Sequence, residues 1–315
     1  MKRRAVGAVF VASSLLAGYH PSAKPVPVTH VAARVQTATT TTVAAPSTTV
    51  APTTTTTLAP PPDFSGTTSA DAVTTAKAVA AAEYATLDPA TPLDVVHNAG
   101  WALELGYRRI GALDPSFEAA VSAALPDDLR QPLALNVAAT RELLSLGHSH
   151  ATAPPAAWHI APVAGADELL GYYHQASAAT GVPWEVLAAI HLVETKLGRV
   201  VGDSSAGAQG PMQFLPATWA AYGNGGDIHS NRDAIMGAAR YLAANGAPVR
   251  LDDALHHYNP TPKYVNAVKD YAQRLSLNPN AYRGYHEWQV IFRTATGNLL
   301  LPEGWPAVPA TPLAL

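Results

Sequence analysis

Cysteine is absent from the 315 residues. Disulfide frameworks and thiolate metal sites are therefore excluded. The redox compartment stays undefined, because a chain of this length can fold on an apolar core alone. Charge is also scarce. Asp, Glu, Lys and Arg make up 14% of the chain, and the formal net charge is −3. That balance supplies neither a basic face for nucleic acid nor an acidic tail. Beyond the first twenty residues no apolar run is long enough to cross a bilayer. Length suggests one or two domains.

The N-terminus has its own character. Lys2, Arg3 and Arg4 precede an apolar run over about residues 5–17. This is the charge and length pattern of a signal peptide, taken here as residues 1–23, with a short retained anchor as the alternative. Tyr19 follows Leu16, Ala17 and Gly18 where a lipidated protein would carry cysteine, so lipid attachment is not expected. Residues 24–63 are rich in Thr and Pro, with threonine runs at 39–42 and 53–57 and prolines at Pro46, Pro52, Pro60, Pro61 and Pro62. Such a segment buries too little apolar surface to offset its ordering entropy. It reads as a disordered linker, either an O-glycosylated tether or a passive spacer.

The rest reads as mainly α. In residues 91–112, Thr91 is placed to cap, Pro92 to open the helix and Asp94 to meet its positive end. Leu93, Val96, Gly100, Leu103, Tyr107 and Ile110 then share one face. A second helix is expected over 128–146, with Leu133, Val137, Thr140 and Leu144 inward and Gly147 as its stop. Residues 64–158 thus form a helical region of undefined role without a catalytic constellation. A denser helical domain follows over 159–282, with helices expected at 165–179, 183–197, 216–222, 232–244, 251–258 and 262–275. In the extension 283–315, the β-prone stretch 289–293, a turn at 295–298 and a return at 299–301 predict a hairpin.

Within the dense region, Pro183 opens a helix that Gly198 closes, and Leu187, Ile190 and Glu194 fall on one stripe. Glu185 and Lys196 are expected to face water. Glu194 is then a carboxyl group on an apolar face near a helix C-terminus, where desolvation and the negative helix end both raise its pKa. Glycosidic bond cleavage needs a general acid of that kind. An isolated Glu on such a stripe is also compatible with a structural group satisfied at the core rim. Downstream, Gly207 and Gly210 permit positive φ. Met212, Gln213 and Phe214 combine apolar faces with an amide, a set suited to an N-acetyl sugar. Tyr258 and Asn259 add a phenol and a second amide. His191 sits one turn before Glu194, as a bonding partner or, by preference, a packed or surface histidine. Trp219 lies close to the Gln213 loop, with Trp184 and Trp288 expected in the core.

Glu194-Thr195, then Ser204 through Gln213 (SSAGAQGPMQ), then Tyr258-Asn259 resembles, in order and spacing, the signature of the soluble lytic transglycosylases. The resemblance covers about residues 166–275, and residues 210–214 with 216–219 resemble the actinobacterial branch. It implies a lysozyme-like fold and peptidoglycan glycan strands as substrate. By position it implies Glu194 as general acid/base, Thr195 in place of the usual serine and Ser204 as a serine that helps place the site. Met212 and Gln213 then line the sugar groove, with Phe214 added as a substrate contact from its aromatic face, and Tyr258 and Asn259 face the glutamate. Pro211 replaces a leucine and removes an N–H donor, and Pro260-Thr261 replaces the usual Ala-Gly after the Tyr-Asn pair.

The reaction so implied cleaves the MurNAc–GlcNAc β-1,4 bond and leaves a 1,6-anhydro ring, with no cofactor and no metal. Two readings stay open beside it. A hydrolytic muramidase would need a second carboxylate, with the loop residues Asp203 and Asp227 as candidates, while Asp233, three residues after Ser230, reads as an N-terminal helix stabiliser. A non-catalytic peptidoglycan-binding protein would need none. The twelve histidines lack the helical i, i+4 pairing of a zinc hydrolase. The expected setting is secreted and cell-wall associated, without nucleic acid and without a stable membrane span after signal removal. Protein partners from wall processing fit the same setting.

Overall fold

In the computed structural model the described residues are 63–146 and 151–314. The expected signal peptide, nearly all of the linker and the Gly147 helix stop lie outside them. Four helices come first: α1 (Ala72–Leu87), α2 (Leu93–Ala112), α3 (Pro115–Ala124) and α4 (Asp127–Ser145). Asp71 caps α1 by accepting the Thr74 N–H at 2.7 Å, and Asp114 caps α3 ahead of Pro115. At α2 the expectation needs correction. Pro92 holds the cap position with ψ at 146°, and no side chain caps the helix. With Pro92 extended, the helix opens one residue later than expected and Thr91 makes no capping bond.

The second set comprises β1 (His159–Ile160), α5 (Ala166–Thr180), α6 (Trp184–Thr195), β2 (Val200–Val201), α7 (Pro216–Tyr222), α8 (Asn231–Ala244), α9 (Leu251–Tyr258), α10 (Pro262–Leu277) and α11 (Ala281–His286). The chain ends in β3 (Val290–Thr294), β4 (Gly297–Leu301) and β5 (Thr311–Leu313). The helical class and the C-terminal hairpin are both present. Val290 pairs with Leu301 and Thr294 with Gly297 across a two-residue turn. The unexpected third strand, β5, lies antiparallel to β4. It is three residues long, contains Pro312 and sits at the sheet edge, so its sequence carries almost no strand signal.

α6 organises the molecule. Every residue from Val186 to Thr195 is buried, the mark of a central helix rather than an amphipathic one. α5, α8 and α10 pack around it. α10 also packs on α4, and α2 lies against α1, α4 and α11. One apolar cluster therefore runs from Phe64 to Trp288, joining the first four helices to the rest. Each Leu or Ile buried in it contributes about 1.5–3 kcal/mol. A smaller cluster of Trp158, Ile160, Val200, Val290, Phe292 and Leu301 lies between the two small sheets. None of the described helices is long and apolar enough to cross a membrane.

Two carboxylates inside this core are ion-paired. Glu83 on α1 meets Arg274 on α10 at 2.6 Å and accepts a hydrogen bond from Tyr107 on α2. Glu104 on α2 meets Lys196 at 2.9 Å. Lys196 is thus buried, not solvent-facing, because the chain leaves α6 in a left-handed conformation and the long side chain turns inward. Glu83→Gln, which strands the Arg274 charge, is expected to cost about 3–5 kcal/mol. Urea unfolding at neutral pH measures it, and an unchanged midpoint would contradict the pairing.

Candidate active site

Glu194 is the penultimate residue of α6 and is only 4% exposed. Among the described residues three carboxylates are buried: Glu83, Glu104 and Glu194. The first two face cations. Glu194 is held instead by a phenol: the Tyr264 hydroxyl donates to its Oε1 at 2.8 Å. Burial pushes the Glu194 carboxyl up from 4.5 to about 7, and the Tyr264 bond opposes that rise. With Oε1 accepting from Tyr264, Oε2 is the oxygen left to carry an acid proton. This is a carboxylic acid that keeps its proton near neutral pH.

Tyr264 and Tyr258 stack in parallel, 6.3 Å between centroids and 5° between planes. Tyr258 does not bond to Glu194. Its hydroxyl donates to the Met212 carbonyl at 2.7 Å. It does feel the site: burial first, then charge on Glu194, hold its phenol well above the ordinary range. Asn259 is buried at the C-cap of α9. Asn259 is extended, and the Thr261 N–H returns to its carbonyl at 2.8 Å. Pro262 then opens α10, so the Pro260-Thr261 departure delivers Tyr264 one turn later. Sequence reasoning placed Tyr258 opposite the glutamate and passed over Tyr264. Its one available signal is a phenol on the inward stripe of α10 with Val268, Tyr271 and Leu275, all buried.

The loop after α6 is clamped to it. The Thr195 hydroxyl donates to the Pro211 carbonyl at 2.6 Å and accepts the Gly198 N–H at 3.0 Å. Pro211 therefore contributes its carbonyl, for which the missing N–H is irrelevant. Ser204 is buried, and its Oγ accepts the N–H groups of Ala206 at 3.2 Å and Ala208 at 2.9 Å. Gln209 and Phe214 exchange two backbone bonds of 2.8 and 2.9 Å. Gly210 closes this small hairpin at φ 71°, and a Cβ there would stand 1.9 Å from the Ile228 carbonyl oxygen.

The three expected groove residues differ in placement. The Met212 side chain is fully buried in the core, leaving its carbonyl as the group that engages Tyr258. Gln213 is half-buried at φ 50°, and its amide nitrogen donates to the Gly210 carbonyl at 3.0 Å. Phe214 is buried between Trp219, at 5.3 Å, and Tyr258, at 6.0 Å. Trp219 is half-exposed beside them. Trp288 lies in the core, and Trp184 is half-buried against His174. His191 does not reach Glu194. It is fully buried with Nδ1 at 2.8 Å from the Tyr173 hydroxyl, and burial pushes its pKa down to about 3.

No aspartate joins the pair. Asp203 is exposed and accepts from the Gln209 amide at 3.1 Å. Asp227 accepts the His229 N–H at 2.9 Å, and Asp233 accepts the Asp227 N–H at 3.0 Å. Asp233 also lies in the first turn of α8, whose N-cap Ser230 accepts its N–H, as expected. All three serve local loop and cap geometry.

Burying an acid has a pH signature. The folded value lies above the unfolded one, so stability is complete below the ordinary value of 4.5 and declines as pH rises to about 7. The loss is at most about 3 kcal/mol, at about 1.4 kcal/mol per tenfold change. Glu194→Gln is therefore expected to match the wild type near pH 4 and exceed it near pH 9, by up to about 3 kcal/mol in urea unfolding. An equal difference at both pH values would contradict this. Gly210→Ala is expected to displace the loop and lower the melting temperature, read by calorimetry. A wild-type value would contradict the tight approach to Ile228.

No family model and no solved structure matches the chain. The chain is similar to a curated relative, the membrane-bound lytic murein transglycosylase F of Thiobacillus denitrificans (strain ATCC 25259 / T1), at 27% identity over 128 residues. That stretch covers 38% of this chain and 27% of the relative, about a quarter of its length.

Proposed function

We propose that the chain is a peptidoglycan lytic transglycosylase acting outside the cytoplasm on the cell wall, with Glu194 as its single general acid/base. The observation that carries this reading is the pairing with Tyr264 of a buried carboxyl that meets no cation among the described residues. Likeness to the murein transglycosylase F over part of the chain supports the substrate class. The ordered resemblance of Glu194-Thr195, the Ser204–Gln213 loop and Tyr258-Asn259 supports the site.

In the reaction, Glu194 Oε2 gives its proton to the oxygen bridging N-acetylmuramic acid and N-acetylglucosamine as the bond to the muramic C1 breaks. The carboxylate then takes the proton of the muramic 6-hydroxyl while that oxygen bonds to C1. The glutamate ends protonated, one C–O bond has replaced another, and no water is consumed. This cycle needs no second carboxylate, in keeping with the local engagement of Asp203, Asp227 and Asp233. Tyr264 holds Oε1 and so orients the proton-bearing oxygen. Thr195 and Ser204 shape the loop, Gln213 and Phe214 with Trp219 border it, and Tyr258 and Asn259 close the far side.

Digestion of purified peptidoglycan, with muropeptides identified by mass spectrometry, tests this reading. Expected products carry anhydro ends, one water lighter than muramidase products, and disappear with Glu194→Gln. Reducing-end products would move the mechanism to hydrolysis, and undiminished release by Glu194→Gln would remove the acid. The acid must be protonated, so turnover is expected to fall as pH rises past about 7. The Tyr264 bond lowers the Glu194 pKa, so Tyr264→Phe should move that alkaline limb upward while lowering kcat. A limb that stays in place would contradict the bond.

A further inference from the structure

The turn after Glu194 is made of residues that ordinarily avoid its conformation. Lys196 and Leu197 lie at φ 54° and 59°, and only then does Gly198 follow at 85°. For residues carrying a Cβ this is an unfavourable region that surrounding contacts must hold. Backbone bonds from Lys196 to Leu192 and from Leu197 to His191 close the turn, and a further anchor lies at the far end of the Lys196 side chain. Its ammonium donates to Glu104 Oε1 at 2.9 Å and stands 4.6 Å from the centroid of the Trp288 ring. Both partners are buried. Glu104 is itself fixed, with Arg108 Nε at 3.5 Å and the Gln289 N–H donating to its Oε2 at 2.7 Å. One carboxylate on α2 thus gathers the end of α6 and the start of the C-terminal sheet, two residues from Glu194.

We infer that the Glu104–Lys196 pair is a positioning device through which α2 sets the placement of the Glu194 carboxyl against Tyr264. The inference rests on Glu194 being the reacting acid. It gives the helical region 64–158 a part in building the site rather than spacing it. Removing the pair takes away the ionic anchor of the Lys196 side chain and leaves the backbone bonds of Lys196 and Leu197 to Leu192 and His191 to hold two left-handed residues, and the turn shifts toward right-handed conformations. The last turn of α6, with Glu194 in it, follows. A merely stabilising pair would leave Glu194 where it is.

The test uses the full chain with Glu104→Gln and with the double variant Glu104→Gln/Lys196→Met. The double variant removes both charges, so neither is stranded in the core. Near-UV circular dichroism establishes that it folds. In the folded double variant, kcat on glycan strands is expected to fall on the order of ten- to a hundredfold with KM changed by less than about twofold. Carbon-13 NMR, with the Glu194 carboxyl assigned through Glu194→Gln, should show its midpoint dropping toward ordinary carboxyl values as the loosened turn admits water. Tyr258 and Tyr264, the titratable neighbours of Glu194, stay in place and do not produce that drop. A folded double variant with wild-type kcat and wild-type midpoint would overturn the inference. Should the wild type release nothing from peptidoglycan, the functional reading falls separately and the midpoint alone decides. A displaced midpoint then keeps the positioning role, and an unmoved one removes it.

Discussion

The hydrogen bond from Tyr264 to Glu194, formed where none of the described cations reaches, is the contact on which the rest depends. A carboxyl in an apolar interior either meets a positive charge and ionises or keeps its proton. Glu83 and Glu104 take the first course, with Arg274 and Lys196. Glu194 takes the second. The same helical core therefore holds two ion-paired glutamates and one held by a phenol, and the difference lies in partners rather than in burial.

Keeping that acid protonated requires α6 to be central and its last turn to be fixed. The all-round burial of α6 supplies the first condition. The second comes from short polar ties around its C-terminal end: Thr195 to Pro211, Gly198 to Thr195, and Lys196 to Glu104. Across the site, Pro262 opens α10 directly behind Asn259, so Tyr264 arrives beneath Tyr258 and opposite α6. Gly210, pressed on the Ile228 carbonyl, fixes the loop that closes the third side.

Much of this was legible in the sequence, for physical reasons. Helix starts and stops located α5 to α10 within one or two residues, because Pro183, Pro216 and Pro262 stand at or beside the starts of α6, α7 and α10 and Gly181 stands just after the end of α5. Glu194 stood out as a carboxyl on an apolar stripe. Yet Glu83 and Glu104 are carboxyls in the same core, and nothing in local spacing tells which of the three has a cation waiting. Arg274 is 191 residues from Glu83, and Lys196 is 92 from Glu104. Pairing over those separations is a tertiary outcome. Lys196 reads as solvent-facing for the same reason, since its left-handed φ and its partner are invisible to a helical wheel. Tyr264 carries no distinguishing sequence signal of its own, because an aromatic residue on an inward stripe looks the same whether its hydroxyl is idle or engaged. The edge strand β5 escaped notice because three residues containing a proline carry no period.

The central claim is that Glu194 keeps its proton near neutral pH inside the folded chain. Carbon-13 NMR of its side-chain carboxyl, followed as pH is raised, measures this directly. The account predicts a midpoint near 7. A midpoint at the ordinary glutamate value would mean that water or a cation reaches the group, and the single-acid reading would fail.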